Sequence, residues 1–316
     1  MSLQRFILKR SLITVPLLLG ISLITFGMIH AIPGDPIDFI TVFAELDPET
    51  RAEIRAEYGL DQPVYIQYID WVTSAATGDF GTSITTRQPV SEEIMSRLPF
   101  TLVMGIMAFG VTLLTAIPTG VAAAYYRDTK IDQASRIFAL VGIALPNFWL
   151  GLILILVFAS WLGLFPVLPP TDRGLLSADM LIYTLLPAIT IGTGATALLM
   201  RLMRSSMVEE LDKDYVRTAR AKGLPERSVI RKHVLRNSLI SVVTVAAIQV
   251  AFIISGSVVV EIVFSYPGIG RLLVNRVGNR DFPIIQGIVL IIGVAVITAN
   301  FLADVLYAYL DPRIRY

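Results

Sequence analysis

The sequence predicts an all-α integral membrane protein with six transmembrane helices and a helical insertion after the first of them. Apolar residues make up 54% of the 316 residues and charged residues only 16%, whereas soluble domains average about a quarter charged residues. The mean hydropathy is +0.69. Six stretches are also long enough to cross a bilayer, which needs roughly 20 apolar residues per helix.

We place these spans near residues 11–32, 100–126, 137–165, 180–203, 239–262 and 284–310. The third is over-long and contains Pro146, so we expect either a kink there or a tilted helix that runs on to Gly163. The first begins with basic residues like a signal peptide, but it is too long and no small-x-small cleavage site follows it. We therefore interpret it as an uncleaved helix.

The basic residues predict the orientation. With the N-terminus inside, 18 of the 26 Lys and Arg residues lie on the cytoplasmic side, and ten of those lie between 201 and 238. The opposite orientation would place most of this charge across the membrane, against the positive-inside tendency. Both termini and the 201–238 loop are therefore predicted to be cytoplasmic.

The most informative segment is the polar stretch 204–238, which predicts two short helices with a break at Gly223. Ser206 and Glu209 have the spacing of a capping box at a helix start. Gly223 stands where a helix C-terminus needs a residue with positive φ. An ordered, charged helical pair in the loop of a membrane protein is suited to contact something outside the membrane.

The same stretch carries one apolar stripe. Met207, Leu211 and Tyr215 recur at four-residue steps on an otherwise charged helix. Beyond the break, Pro225 and Glu226 suit the first turn of the next helix, because a missing N–H costs nothing there and the helix dipole favours an anion.

Residues 33–98 form the other sizeable polar region, which we predict to be an external helical insertion. It carries twelve acidic residues against four arginines. A first helix is predicted to open at Pro48 and to close at Gly59, and a second to run from Pro63 to about Ala76. The aromatic residues of the second helix either lie at the membrane interface or contact a partner.

The sequence carries no enzymatic motif. Its two histidines, His30 and His233, are predicted on opposite sides of the membrane and cannot share a metal or catalytic site. Cysteine is absent, which rules out disulfides and thiolate metal sites. Neither G-x-S-x-G nor the phosphate loop G-x-x-x-x-G-K-[ST] occurs, so ATP-driven transport requires a separate nucleotide-binding subunit. No nucleic-acid partner is predicted.

Two ionisable residues, Glu261 and Asp304, lie inside predicted spans, each near an end. Such residues are costly in lipid and call for a functional interpretation by default. A structural role is favoured for Asp304, whereas both interpretations stay open for Glu261, because it leads into an unusual loop. In that loop Pro267, Gly268 and Gly270 predict an apolar turn that dips back toward the membrane on the external side.

Four segments, in order along the chain, resemble one family. They are Pro33 to Pro36, Gly81-Thr82-Ser83 through Pro99, Asp214 to Gly223 followed by His233 to Asn237, and Phe264 to Arg271 through Pro283. Together they are similar to the binding-protein-dependent ABC importer permeases, and within these to the first permease subunit of the dipeptide/oligopeptide branch. The resemblance covers nearly the whole chain.

The resemblance implies a type I ABC importer permease fold with three regions. These are residues 1–32 with the first helix, the external insertion 33–98 and a five-helix permease core 99–316. Within the core, a cytoplasmic coupling loop is expected at 204–238 and an external re-entrant turn at 263–283.

The resemblance also implies a mechanism. The permease pairs with a homologous second permease as a heterodimer in the lipid bilayer. Two cytoplasmic ATPase subunits bind ATP and Mg²⁺, and an external binding protein delivers di- or oligopeptides. No cofactor is expected in this chain, and the expected location is the plasma or inner membrane of a bacterium or archaeon. The branch includes systems for nickel and for sugars, so the cargo stays open at this point.

Two sets of site residues follow from the resemblance. ATPase docking is expected at Met207, Leu211, Asp214, Tyr215, Ala219, Gly223 and Leu235, with packing on the chain's own spans as the alternative for some of them. The external gate or a binding-protein contact is expected at Glu261, Tyr266, Pro267, Gly268, Gly270 and Arg271. The chain departs from the general permease loop pattern at Arg217, where a Glu would stand, so no acidic contact is assigned there.

Other classes stay open on the residues alone. A self-sufficient secondary carrier or channel needs no ATPase, but the mid-bilayer charges that such carriers use are scarce. An intramembrane enzyme is disfavoured, because no nucleophile–base pair or metal cluster is visible. For the coupling loop itself, the alternative to docking is a basic amphipathic helix pair that lies on anionic lipid.

Overall fold

The computed structural model describes residues 3–30, 48–57, 61–170 and 174–310. Every regular element in these ranges is a helix, apart from one isolated β-bridge between Thr82 and Pro89. The all-α class is therefore confirmed. The segment 33–36, Gly59 and the basic tail from 311 onward lie outside the described residues.

Eleven helices follow one another within these ranges. They are α1 (Leu3–His30), α2 (Pro48–Glu57), α3 (Val64–Ala76), α4 (Val90–Tyr125), α5 (Lys130–Ala144), α6 (Asn147–Trp161), α7 (Ala178–Leu211), α8 (Asp214–Ala221), α9 (Glu226–Val263), α10 (Ile269–Gly278) and α11 (Phe282–Leu310). The last 7 residues of α6 and the segment Val229–Val234 of α9 are π-helical. Helices α2 and α3 are the two predicted for the insertion, and α3 starts directly after Pro63.

Five unbroken helices, α1, α4, α7, α9 and α11, are long and apolar enough to cross a membrane. The remaining predicted span is broken, since α5 and α6 meet at 108°. The break lies at Leu145 and Pro146, because a proline pushes the preceding residue to extended backbone and lacks the N–H that a helix needs. The predicted kink is therefore confirmed, and the alternative of one tilted helix running to Gly163 is wrong.

Helix α7 lies at the centre of the bundle. In its most apolar window 61% of the residues are buried, against 17–28% in the other four unbroken spans. It packs most extensively on α4, and two glycines permit the close approach. A Cβ on Gly120 would lie 2.7 Å from Met203 Cβ, and one on Gly192 would lie 2.9 Å from Ala108 O. Small residues at helix contacts are typical of membrane bundles, where close packing drives association.

Ion pairs join helices at the end of the bundle that carries the polar loop. The buried carboxylate of Asp132 accepts two hydrogen bonds from Arg204, at 2.5 and 2.8 Å, and two from Arg136, at 3.2 and 2.6 Å. Arg10 of α1 lies 3.2 Å from Asp304 of α11. This pairing gives Asp304 the structural role that the sequence favoured.

Helix α3 packs on α1 through aromatic side chains. The ring of Phe26 lies 5.5 Å from that of Tyr68 and 5.8 Å from that of Trp71, between centroids. The hydroxyl groups of Ser22 and Tyr68 are hydrogen-bonded at 2.8 Å. Tyr68 and Trp71 therefore fasten the insertion to the first span, whereas Tyr65 on the same helix is 67% exposed.

Candidate coupling face and external turn

The polar segment 204–238 begins differently from the prediction. Ser206 and Glu209 lie in the last turns of α7, and the chain leaves that helix only after Leu211. A separate helix, α8, then begins at Asp214. The predicted capping box is therefore wrong, because the buried face of α7 continues through its last turns and keeps this backbone helical.

Gly223 ends α8, as the sequence predicts. Its φ is +75°, its N–H donates to Arg220 O at 2.9 Å, and the N–H of Leu224 donates to Ala219 O at 3.4 Å. This pair of bonds is the Schellman arrangement of a helix C-terminus. A Cβ at position 223 would meet nothing within 4 Å, so the requirement for glycine comes from the backbone conformation alone.

The expected apolar stripe faces the interior of this chain. One buried cluster contains Met207, Val216, Ala219, Val229 and Val234. Leu211 and Leu235 pack against it. Met207 is 0% exposed and Ala219 only 6%. Neither residue therefore offers a surface to a docking partner, and their assignment to ATPase docking is corrected. The alternative of packing on the chain's own helices describes these residues.

The opposite side of α8 and the bend is exposed. We name this surface the coupling face, and it consists of Asp214, Arg217, Thr218, Ala221, Lys222, Gly223 and Leu224. Leu224 is 40% exposed and gives an apolar point to a mainly polar surface. Of the predicted docking residues, Asp214 and Gly223 lie on this face.

Tyr215 links the three helices that meet at the loop. Its hydroxyl donates to the Glu210 carboxylate at the end of α7 and accepts a hydrogen bond from Asn237 Nδ2 of α9 at 3.0 Å. Burial, together with the hydrogen bond to Glu210, raises the pKa of the Tyr215 hydroxyl. The group therefore stays protonated at neutral pH and continues to donate, as a tie between α7, α8 and α9.

An ion pair spans the bend at Gly223. Nε and Nη2 of Arg220 donate to the two carboxylate oxygens of Glu226 at 3.1 and 2.7 Å. Such a bidentate contact has a specific geometry, although both of its side chains are partly exposed to solvent. Glu226 stands in the first turn of α9, as predicted. Helix α8 is therefore joined to α9 by two contacts, namely the hydrogen bond of Tyr215 and this ion pair across the bend.

The segment after α9 holds a tight turn and then α10, so the predicted turn at 263–283 includes a 10-residue helix. Tyr266 lies fully buried in that turn. Its ring stacks on Tyr183, with centroids 6.0 Å and planes 4° apart, and its hydroxyl donates to Phe100 O at 3.2 Å. Burial raises the pKa of Tyr266 to about 12, so the hydroxyl is neutral and available as a donor.

Glu261 is fully buried beneath this turn. Its Oε1 accepts a hydrogen bond from Thr101 Oγ1 at 2.7 Å, and its Oε2 accepts one from the N–H of Arg271 at 3.0 Å. The Thr101 hydroxyl also accepts one from the N–H of Ile269 at 3.0 Å. The start of a helix favours an anion, and these contacts join α4, α9 and α10. They support the structural interpretation of Glu261.

Glycines make room for that carboxylate. A Cβ on Gly268 would overlap the Glu261 carboxylate, and one on Gly270 would lie 2.6 Å from a backbone atom of α9. Pro267 and Arg271 are partly exposed, whereas the other four residues assigned to an external gate or binding-protein contact are buried. In this conformation only Pro267 and Arg271 of that set present a surface.

Two of the motifs that the sequence predicts to be external meet each other. Asp281, fully buried, accepts a hydrogen bond from Ser83 Oγ at 2.5 Å and from the next two backbone N–H groups at 3.1 and 3.2 Å. Arg276 Nη2 lies 2.7 Å from a Glu93 carboxylate oxygen in a largely buried pair. These contacts, which we name the external clasp, tie the loop before α4 to the corner between α10 and α11.

Several of these residues were not predicted from the sequence. Thr101 lies in an apolar run that gives no sign of its role. Asp132 and Arg136 are four residues apart, and this helical pairing is a signal that could have identified them. Their third partner, Arg204, lies 72 positions from Asp132, so only the fold brings it there.

The polar groups of both regions fasten helices to one another. Within the described ranges, no three histidine or acidic side chains are grouped as metal ligands. Glu261 and Asp281 at one end, and Asp132 at the other, accept hydrogen bonds from groups of this chain. These hydrogen bonds hold the helices at each end of the bundle in fixed relative positions.

Sequence comparison identifies relatives over almost the full length. The oligopeptide transport system permease protein AppB of Bacillus subtilis (strain 168) is 41% identical over 98% of this chain and 99% of its own. The glutathione transport system permease protein GsiC of Salmonella typhimurium is 42% identical over 98% and 99%. The dipeptide transport system permease protein DppB of Escherichia coli (strain K12) is 38% identical over 99% of each chain.

A solved structure, described as the crystal structure of an amino acid ABC transporter with histidines, has the same fold. It matches with a TM-score of 0.52 and 14% identity, over 69% of this chain and 94% of that chain. The expected permease fold is therefore confirmed. Residues 3–105 match the N-terminal family of binding-protein-dependent transport system membrane components, and residues 116–316 match the binding-protein-dependent transport system inner membrane components. The chain belongs to this family and is a multi-pass permease subunit of an ABC importer.

Proposed function

We propose that the chain forms half of the translocation pathway of an importer for small peptides. The observation that carries the proposal is the match, over almost the full length, to permeases whose names specify oligopeptide, dipeptide and glutathione transport. All three cargoes are peptides or peptide-like. The second half of the pathway is a homologous permease, and an external binding protein delivers the peptide.

A cytoplasmic ATPase binds the coupling face. The chain carries no phosphate loop, so the energy comes from a nucleotide-binding partner, of which the complete importer holds two. The underside of α8, with Val216 and Ala219, is packed into the chain's own core, so a push on the coupling face is passed to α7 and α9. ATP and Mg²⁺ belong to those partners.

The same packing argues against a helix pair that lies on lipid. An interfacial helix needs a free apolar face to insert between headgroups. Val216 and Ala219 of α8 are buried, and the exposed coupling face is mainly polar, with Leu224 as its one large apolar side chain. A protein groove that accepts one apolar side chain within a polar surface fits this face better than a bilayer does.

The proposed orientation places the coupling face in the cytoplasm. Eighteen of the 26 basic residues lie on that side when both termini are inside, in keeping with the positive-inside tendency. The external clasp and the turn at Tyr266 then face the side from which a binding protein approaches. The membrane is the plasma or inner membrane of a bacterium or archaeon.

Affinity purification of the tagged chain from its own membranes tests the proposal. We expect a second permease and ATPase subunits in the eluate. After reconstitution with the matching binding protein, labelled di- and tripeptide uptake should require ATP. Recovery of the chain alone, with uptake driven by a proton or sodium gradient, would overturn the proposal in favour of a secondary carrier. ATP-driven uptake of a non-peptide cargo only would overturn the peptide assignment.

A further inference from the structure

A cleft opens between α4, α5 and α7 at the end of the bundle that carries the coupling face. Its cavity has a volume of about 220 Å³, below the roughly 300–1,000 Å³ typical of small-molecule sites. Ala139, Leu140 and Ile143 of α5 form an apolar wall. The cleft is therefore suited to hold part of a hydrocarbon chain.

Three arginines line the cleft on its side nearer the polar loop, namely Arg136, Arg201 and Arg204. Arg136 and Arg204 share the buried carboxylate of Asp132. Arg201 is exposed and makes no hydrogen bond or ion pair with the residues that the structure describes. One guanidinium at the rim is thus available for an anion.

The depth of Arg201 matches a lipid headgroup. It lies 23 residues beyond the start of α7 at Ala178, which is about 35 Å along a helix axis, whereas the hydrocarbon core is about 30 Å thick. The apolar wall continues from this level toward the membrane interior, since Leu140 and Ile143 lie farther along α5 than Arg136. Charge at the rim and hydrocarbon below it is the order of groups in a phospholipid.

The local charge favours an anionic lipid over a zwitterionic one. The segments 127–136 and 201–204 contain five basic residues and two acidic ones, a net charge of +3. Basic pockets between transmembrane helices on the cytoplasmic side are typical sites for acidic headgroups. In the proposed orientation the cleft opens to that leaflet.

We propose that this cleft binds an anionic phospholipid, with its phosphate at Arg201 and the first part of an acyl chain against Ala139, Leu140 and Ile143. The bound lipid is a fixed component of the permease at the end of the bundle that carries the polar loop. The occupant is a lipid of the surrounding bilayer rather than the transported solute.

Native mass spectrometry of the purified, delipidated complex tests the proposal, with dioleoyl phosphatidylglycerol, dioleoyl phosphatidylcholine or inorganic phosphate added. We expect saturable binding of phosphatidylglycerol to the wild type. Arg201→Gln should weaken it about tenfold or more, because hydrogen bonds to charged groups are the stronger ones. Arg201→Lys should retain most of the affinity. Leu140→Asp, at an exposed position of the wall, should weaken binding without touching an arginine.

The matched control is Arg236→Gln, which removes one exposed charge from α9, just after its π-helical segment and outside the lining of the cleft. We expect wild-type affinity for phosphatidylglycerol. Equal loss in Arg236→Gln and Arg201→Gln would overturn the proposal, because diffuse surface charge would then explain binding.

Three other outcomes would also overturn the proposal. The first is that phosphatidylcholine binds as well as phosphatidylglycerol, and the second is that inorganic phosphate competes fully with the lipid. The third is that the isolated chain binds the lipid but the complex does not, because the second permease covers the cleft. The binding measurement requires no transport, so its result is independent of the proposed cargo.

Discussion

The carboxylate of Asp281 accepts a hydrogen bond from the hydroxyl of Ser83 at 2.5 Å, although the two residues lie 198 positions apart. The same buried carboxylate accepts two backbone N–H groups of the loop that follows Ser83. A single side chain therefore holds the start of α4 against the start of α11 at this end of the bundle.

Asp281→Asn should lower the thermal midpoint of the purified complex. The amide has one acceptor oxygen where the carboxylate has two, so a buried backbone donor loses its partner, at a cost of about 1–3 kcal/mol. Fluorimetric melting measures the effect. Asp70→Asn, at an exposed position of α3, is the control and should melt like the wild type. Identical midpoints for both variants would contradict a stabilising role for the clasp.

Thr101→Val should destabilise the external turn. The variant keeps the shape of the side chain but removes the hydroxyl that donates to Glu261 and accepts from the Ile269 N–H. Two buried groups then each lose a partner, which costs about 1–3 kcal/mol per group. We expect faster proteolysis or hydrogen exchange at the start of α10. Thr119→Val on the same helix, where the hydroxyl bonds only to its own helix, should leave the exchange unchanged.

Gly120→Ala should separate α4 from α7. The added Cβ would lie 2.7 Å from Met203 Cβ and 2.9 Å from Met200 O, and overpacking of this kind costs about 1–3 kcal/mol. Gly110→Ala is the matched control, since a Cβ there would meet nothing within 4 Å and alanine favours a helix by about 1 kcal/mol. Thermal melting should therefore shift in opposite directions, and a parallel shift would contradict the close contact.

Gly223→Val should abolish ATP-dependent uptake while the protein still inserts and assembles its own core. A β-branched residue is strained at a φ of +75°, so the Schellman end of α8 opens and the coupling face is displaced. Gly223→Asn is the control, because asparagine tolerates this conformation better. We expect it to keep more uptake than valine does, and normal uptake by Gly223→Val would contradict coupling through this bend.

Arg220→Gln should change little. Its ion pair with Glu226 is bidentate, but the two side chains are 42% and 41% exposed, and exposed pairs contribute about 0–1 kcal/mol. Melting and uptake should stay close to the wild type. A loss as large as that of Gly223→Val would show that the ion pair, rather than the glycine conformation, fixes the bend.

The features that the sequence predicts well are those with local physical causes. The break at Pro146 follows from a missing N–H, the bend at Gly223 from a positive φ, and the start of α3 from Pro63. The predicted capping box at Ser206 is wrong because the packing of α7 keeps the helix continuous through a sequence that is typical of a helix start.

Contacts between distant segments could not be predicted in the same way. Nothing near Ser83 indicates Asp281, and nothing near Thr101 indicates Glu261, since each pair forms only after helices α4, α9 and α11 have packed. The prediction that the apolar stripe of the polar loop docks a partner is wrong for a related reason. A four-residue period identifies an apolar face, but it cannot distinguish a face that binds a partner from one such as Met207 that enters the chain's own core.

The buried underside of α8 has a consequence for building chimeric transporters. Under the proposed docking of an ATPase on the coupling face, specificity for one ATPase subunit would be transplanted by exchanging only the outward positions Arg217, Lys222 and Leu224, because these make no contribution to the buried cluster. An exchange of the complete loop would instead carry foreign residues at positions 216 and 219 into a native interior. Such grafts should succeed only when the recipient residues that surround them, including Val229 and Val234, are replaced together with the loop.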